Sequence, residues 1–291
     1  MRYLSSRLCS QFAVVVILAG LSACQKASSN PSPEPKPVVE GKREVAANPK
    51  PVADNDDKSW GTIKGQIVWD GGAIPEPKVL LVNKDQQHCL GKGPILSEDW
   101  VINKDNKGVR WTFAWLAPEP GGAAALPIHP TLKDIPNKEV EMDQPRCAFV
   151  PHSLAMREGQ VLVAKNSAPI AHNVHWVGNP LKNPGGNNII PPGGTFKIEG
   201  LKADKYPLIF ECNIHPWMKA RVGVFDHPYF AVTDENGNFE IKLAPAGTYR
   251  LKVYHDAVGW RGGAEGRNGE KITIKGGEVT DVGKLGLKPS E

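Results

Sequence analysis

"PLIFECNIHPWM", residues 207–218, carries two patterns back to back. Its first half alternates apolar and polar side chains, so Leu208, Phe210 and Cys212 fall on one face of an extended strand. The sulfur is thereby placed at the inner end of a packed β-strand. The chain must then turn, and the turn brings His215 and Met218 back toward the same point. A thiol, an imidazole and a thioether are thus expected around one spot at the edge of an all-β core.

Short alternating stretches of the same kind run through the chain from Trp60 onward, separated by Gly, Pro, Asn and Asp clusters. "TIKGQIVW", "VLLVN", "VRWTFAWL", "QVLVAKN", "HNVHWV", "TFKIEG", "ARVGVF", "FAVTD", "NFEIKL", "TYRLKVY" and "KITIK" read as strands by their β-branched content and period of two. Long helical periodicity is absent. About 230 residues suffice for one or two sandwiches with an adequate core. The fold class is all-β, built from sandwiches. Asn236-Gly237 reads as a tight hairpin turn, and Pro245-Ala246-Gly247 as the turn into the next strand.

The chain has five cysteines. It opens "MRYLSSRLCSQFAVVVILAGLSAC", with Arg2 and Arg7 ahead of an apolar run from Phe12 to Leu21. That run is shorter than the roughly 20 residues a membrane-crossing helix needs, and reads as a secretory signal over residues 1–23. Leu21-Ser22-Ala23-Cys24 resembles the lipobox of bacterial lipoproteins. That resemblance implies cleavage before Cys24 and a diacylglycerol on its sulfur, each buried CH₂ adding about 0.8 kcal/mol of membrane affinity. In lipoproteins of Gram-negative bacteria, Gln rather than Asp after the cysteine, here Gln25, implies the outer membrane; the expected place is a bacterial envelope, facing the periplasm or at the cell surface. Residues 24–59 then form a Pro-, Ser- and Lys-rich tether that cannot bury enough surface to order itself.

Cys9 leaves with the signal and Cys24 takes lipid, so Cys89, Cys147 and Cys212 remain. An odd thiol in an oxidising compartment calls for an explanation. Cys212 alone has metal-competent neighbours on its own loop. The economical assignment pairs Cys89 with Cys147 and leaves Cys212 as a metal-bound thiolate; the rival bridges Cys212 and frees a thiol elsewhere. Sequence leaves that connectivity open. A thiolate with imidazole and thioether favours copper over hard cations, and a trigonal site of two histidines and a cysteine needs a second histidine. His172, in "NSAPIAHNVHWV", lies 40 residues before Cys212 and is the candidate.

His172-Asn173-Val174 and C-x-x-H-P-x-M, here Cys212, His215, Pro216 and Met218, make residues 142–226 resemble the cupredoxins, amicyanin and plastocyanin above all. The stretch "FVPHSLAMREGQVLVAKNSA" looks like that family's first two strands. The resemblance implies a Greek-key sandwich with one type 1 copper, held in plane by His172 Nδ1, Cys212 Sγ and His215 Nδ1, with Met218 Sδ axial. It implies single-electron transfer without catalysis, with a small cytochrome or another copper protein as redox partner. It also implies a bracing role for Asn173 and an edge of His215 near solvent, inside an apolar patch from Pro169, Ile170, Pro216 and Trp217. Where many relatives have proline, this chain has Ile214, whose N–H is expected to donate to Cys212 Sγ.

"VTDENGNFEIKLAPAGTYRLKVYHDAVGW" resembles the carboxypeptidase regulatory-like (transthyretin-like) β-sandwich, whose opening strand matches "GTIKGQIVWDGGAIPEPKVLLV" at 61–82. Residues 60–141 and 227–291 are therefore expected either to form one sandwich split by the copper module or to stand as separate modules in a row. His175, three residues after His172, belongs to the opposite strand face. His152 reads as structural, and His88, His129, His227 and His255 have no local support as ligands. Met142 and Met156 read as core.

Net charge is +4, with 35 basic and 31 acidic residues interspersed. No clustered basic face suggests nucleic acid, and no phosphate-binding glycine loop or Ser-His-Asp arrangement is present. A copper-binding or ligand-binding surface lipoprotein, with structural or sensory copper, is the alternative to the carrier. A copper oxidase or reductase is a weaker third reading, since no further His-x-His pair supplies a second cluster.

Overall fold

The computed structural model describes residues 58–289. The expected signal peptide, the lipid-bearing Cys24 and the tether up to residue 57 lie outside them. The regular secondary structure of the described residues is almost entirely β. The strands, in chain order, begin with β1 (Trp60–Trp69), β2 (Phe113–Ala117), β3 (Glu139–Met142) and β4 (Ser153–Arg157). The middle set is β5 (Val161–Lys165), β6 (His172–Val177), β7 (Gly186–Ile190), β8 (Thr195–Ile198), β9 (Leu208–Glu211) and β10 (Lys219–Phe225). The last set is β11 (Phe230–Val232), β12 (Asn238–Pro245), β13 (Gly247–His255), β14 (Gly259–Trp260), β15 (Glu270–Ile274) and β16 (Val279–Leu287). Two single-turn α-helices, α1 (Gln86–Cys89) and α2 (Gly263–Gly266), and a 3-10 turn at Pro130–Leu132 interrupt them. Among the described residues no helix is long and apolar enough to cross a membrane.

Strands β3 to β10 make two sheets, ordered β4-β10-β9-β6-β7 and β3-β5-β8. Their inward residues, among them Met156, Leu162, Val174, Ile190, Leu208, Phe210 and Val222, share one core. Each such side chain contributes about 1.5–3 kcal/mol by leaving water. The alternation in "PLIFEC" holds: Leu208, Phe210 and Cys212 are buried, whereas Ile209 is exposed.

A second sandwich draws strands from both ends of the described chain. Strand β1 lies between β12 and β16, with Ile63 opposite Ile241 and Thr280. Strand β2 lies between β11 and β13, with Trp115 opposite Phe230 and Lys252. Both sheets therefore combine residues from before β3 and after β10. Strand β2 is buried on its two faces: Ala114 and Leu116 enter the second core, while Phe113 and Trp115 pack with Phe225 and Trp260. This aromatic seam presses the end of β10 against β2. A Cβ added at Gly223 would meet Phe113 Cε1 at 3.0 Å, so glycine permits the close approach.

Three local expectations need correction. "VLLVN" alternates, with Val82 buried and Leu81 exposed, but it makes only an isolated bridge from Val79 to Leu96 and is not a strand. "VRWTFAWL" is interrupted because Trp111 takes a left-handed backbone, φ 66°, so β2 starts at Phe113. Asn236-Gly237 is a turn with Gly237 at φ 73°, yet it does not close a hairpin. Its flanking strands pair elsewhere, β11 with β2 and β12 with β1. The turn carries the chain from one sheet to the other, stabilised by Asp234 Oδ1 accepting from the N–H of Asn236 and Asn238 at 2.9 and 2.8 Å.

Candidate metal centre

The site forms where β6 and β9 run antiparallel at the centre of their sheet, Trp176 opposite Phe210. This pairing sets the start of β6, with His172, beside the end of β9, with Cys212. Strand β10 then returns along β9, Lys219 opposite Glu211, so the loop between them must be tight. Its backbone closes on itself: Met218 N–H donates to the His215 carbonyl at 2.9 Å, and Cys212 N–H to the Met218 carbonyl at 3.3 Å. That closure is why His215 and Met218 come back toward the cysteine.

Cys212 Sγ lies 4.0 Å from His172 Nδ1 and 3.9 Å from His215 Nδ1. One ligand atom from each of the three residues lies within 4.8 Å of the others. With metal–sulfur and metal–nitrogen bonds of about 2.3 and 2.0 Å, a trigonal site separates sulfur from nitrogen by about 3.7 Å. The observed spacing accommodates a single transition-metal ion with only a small contraction. Both histidines, Cys212 and Met218 are buried, and Cys212 is a free thiol. The four residues named from sequence are thus on one short stretch of sheet and loop, and their soft donor set suits a transition metal such as copper or zinc.

Burial, together with the neighbouring His215 and His88, lowers the His172 pKa to about 4. Burial also lowers that of His215, outweighing the opposing pull of Asp85. Both imidazoles are therefore neutral near pH 7 and have a lone pair to offer. His172 Nε2 is buried without a hydrogen-bond partner.

Asn173 braces the loop more fully than sequence implied. Its Oδ1 accepts from Asn213 N–H at 2.7 Å, from Ile214 N–H at 3.1 Å and from the Cys212 thiol at 3.2 Å. Its Nδ2 donates to Asn187 Oδ1 and Asn213 Oδ1 at 2.7 and 2.9 Å. The expectation that Ile214 N–H donates to the sulfur is therefore wrong: the Asn173 side chain intercepts it. The backbone N–H facing Sγ, at 3.5 Å, belongs to Asn173 itself.

The expected solvent-facing edge of His215 also needs correction. His215 is wholly buried, and its Nε2 lies 2.7 Å from Asp85 Oδ2. Asp85 precedes α1, whose Cys89 forms a disulfide with Cys147. The Cys147 carbonyl accepts from Trp217 Nε1 at 3.1 Å, and the Trp217 ring meets His215 edge-on at 5.1 Å. Ile170 packs on the core, while Pro169 and Pro216 are exposed. A segment of the N-terminal flank thus covers the histidine that was expected to be open. The two disulfide sulfurs also lie within 4.8 Å of a His215 nitrogen, but they are bonded to each other and are not a ligand pair.

Of the other histidines, His88 lies close enough to act on both site imidazoles, whereas His175, His152 and His255 stay apart from them. His175 is on the opposite face of β6, 3.9 Å from Glu211. His152 is buried 3.8 Å from Glu98, and His255 stacks on Trp100. Sequence reasoning missed Asp85, Asn187 and Asn213. Asn213 sits within the quoted loop, whereas nothing near Asp85 marks it as a partner of a residue 130 positions away.

No protein-family model matches the sequence, and no curated protein does. Among solved structures, a reduced amicyanin variant is similar at 18% identity over 32% of this chain and 87% of its own, TM-score 0.28. A Cu(I) amicyanin variant matches at 17% identity over 38% of this chain and 98% of its own, TM-score 0.28. A purple cupredoxin from Nitrosopumilus maritimus matches at 16% identity over 30% and 99%, TM-score 0.26.

Proposed function

We propose that the chain is a copper-binding electron carrier, tethered to a bacterial envelope membrane through lipid on Cys24. The observation that carries this reading is the convergence of His172 Nδ1, Cys212 Sγ and His215 Nδ1 in a buried pocket of metal-binding size. Met218, buried on the same loop, supplies the fourth donor. Bound copper supplies one-electron chemistry, alternating between Cu(II) and Cu(I).

The chain's own residues do the rest. Strands β6 and β9 hold His172 and Cys212 at fixed separation, so little reorganisation accompanies a change of charge at the site. Asn173 N–H faces the sulfur and offsets part of the negative charge of the thiolate. Burial of the four residues excludes water and substrate, which favours transfer through the protein over chemistry on a bound molecule. The partner is a small cytochrome or another copper protein.

The test is voltammetry of the copper-loaded full chain, followed by stopped-flow mixing with a small c-type cytochrome. A reversible one-electron wave and rapid exchange support the carrier. The cover over His215 favours a second reading, in which copper is structural or sensory. That reading leads if copper binds but exchanges electrons only slowly.

A further inference from the structure

We propose that Asp85 is the positioning residue of His215, fixing which ring nitrogen faces Cys212 and keeping the ring from turning. The metal role of His215 rests on the function proposed above; the hydrogen bond does not. A carboxylate accepts and cannot donate, so Asp85 Oδ2, 2.7 Å from Nε2, holds the ring proton on Nε2. Nδ1 is then left with its lone pair directed toward Cys212 Sγ, 3.9 Å away. A histidine ligand whose far nitrogen is tied to a carboxylate is fixed in orientation and made more basic.

Asp85 can do this because its own backbone is held. It has left-handed dihedrals, φ 48° and ψ 36°, at the start of α1, and its carbonyl accepts from His88 and Cys89 N–H at 3.1 and 2.9 Å. Cys89 is bonded to Cys147, and the Cys147 carbonyl takes the Trp217 Nε1–H from the metal-site loop. Arg146 adds a bond to the Gly93 carbonyl at 2.7 Å. Val82 and Ile95 anchor both ends of this segment in the core around the site. The cover is therefore tied to the ligand loop directly through Asp85 and His215 and indirectly through the disulfide and Trp217. Around His215 Nε2 the facing charged or titratable groups are Asp85, Lys84 and His88. Asp85 is the only anion among them, so its charge stabilises the more oxidised metal.

Two variants separate the hydrogen bond from the charge without disturbing the backbone, since glycine and asparagine both accept left-handed dihedrals. The first measurement is ¹⁵N NMR of the imidazoles in the metal-free full chain at neutral pH. Wild type is expected to show His215 as a single tautomer protonated on Nε2, and Asp85→Gly a mixture. In copper competition titrations Asp85→Gly is expected to bind Cu(II) about 10- to 100-fold more weakly. Asp85→Asn, which removes the charge, is expected to have a higher reduction potential than wild type. A His215 tautomer unchanged in Asp85→Gly overturns the proposal. So does an unchanged Cu(II) affinity in that variant. Failure of wild type to bind copper would sink the copper reading instead, and the metal-free spectrum would still decide whether Asp85 sets the tautomer.

Discussion

Asn173 meets Cys212 twice: its backbone N–H faces Sγ across 3.5 Å, and its side-chain Oδ1 lies 3.2 Å from the same sulfur. The residue after one proposed ligand therefore controls both the charge around another and the loop that carries it. With thiolate in place of thiol, Oδ1 keeps the N–H groups of Asn213 and Ile214. The amide thus serves the loop whether or not metal is bound.

Asn173→Ala would leave those two N–H groups without a partner. Asn213 is exposed and Ile214 half-buried, so water takes up part of the loss and the expected cost is about 1 kcal/mol of stability. Loss of loop support is expected to weaken copper binding about 10- to 100-fold. Chemical denaturation of the metal-free protein and a competition titration against a chelator check the two effects separately. An unchanged affinity would mean that the strands alone fix the ligand geometry.

The Cys89–Cys147 disulfide closes a separation of 58 residues, for which chain entropy gives about 4 kcal/mol. The double variant Cys89→Ala, Cys147→Ala is expected to lose about 2–4 kcal/mol of stability. It is also expected to reproduce the NMR tautomer mixture of Asp85→Gly, because the cover loses its tie to the loop. Stability lost with the His215 tautomer retained would show that Val82 and Ile95 suffice to seat Asp85.

Two buried histidines away from the site predict a pH dependence. Burial lowers the pKa of His255, and likewise that of His227, to about 4, against 6.5 for the free side chain. The unfolded chain therefore takes up protons that the folded chain refuses. The stability they contribute is complete above pH 6.5 and is lost as pH falls toward about 4, on the order of 3 kcal/mol for His255. Urea melts of the metal-free protein at stepped pH values measure this loss. In His255→Phe, which preserves an aromatic ring against Trp100, the decline over that window is expected to be shallower.

What could be read in the sequence was local. The alternation of Leu208, Phe210 and Cys212, and the spacing of Cys212, His215 and Met218, located the β-core and most of the site because strand period and loop length are short-range properties. His172 was found from its own short motif. Asp85 escaped because a hydrogen bond across 130 residues leaves no local trace. Ile214 was misread because the backbone donor it offers is claimed by a side chain on another strand. Val79 to Val82 have a strand's alternation but lack a partner strand, and pattern alone does not reveal partners. Asn236-Gly237 marks a turn correctly, yet whether a turn closes a hairpin or joins two sheets depends on pairings elsewhere.

The central claim is that His172, Cys212, His215 and Met218 hold one copper ion through the Cys212 thiolate. Visible absorption and EPR of the full chain, after addition of Cu(II) and removal of the excess, test it most directly. The expected result is one equivalent of retained copper, an intense blue thiolate-to-copper band and a narrow hyperfine splitting, all lost in Cys212→Ala. A colourless protein with tetragonal copper signals, or one that retains no copper, would contradict it.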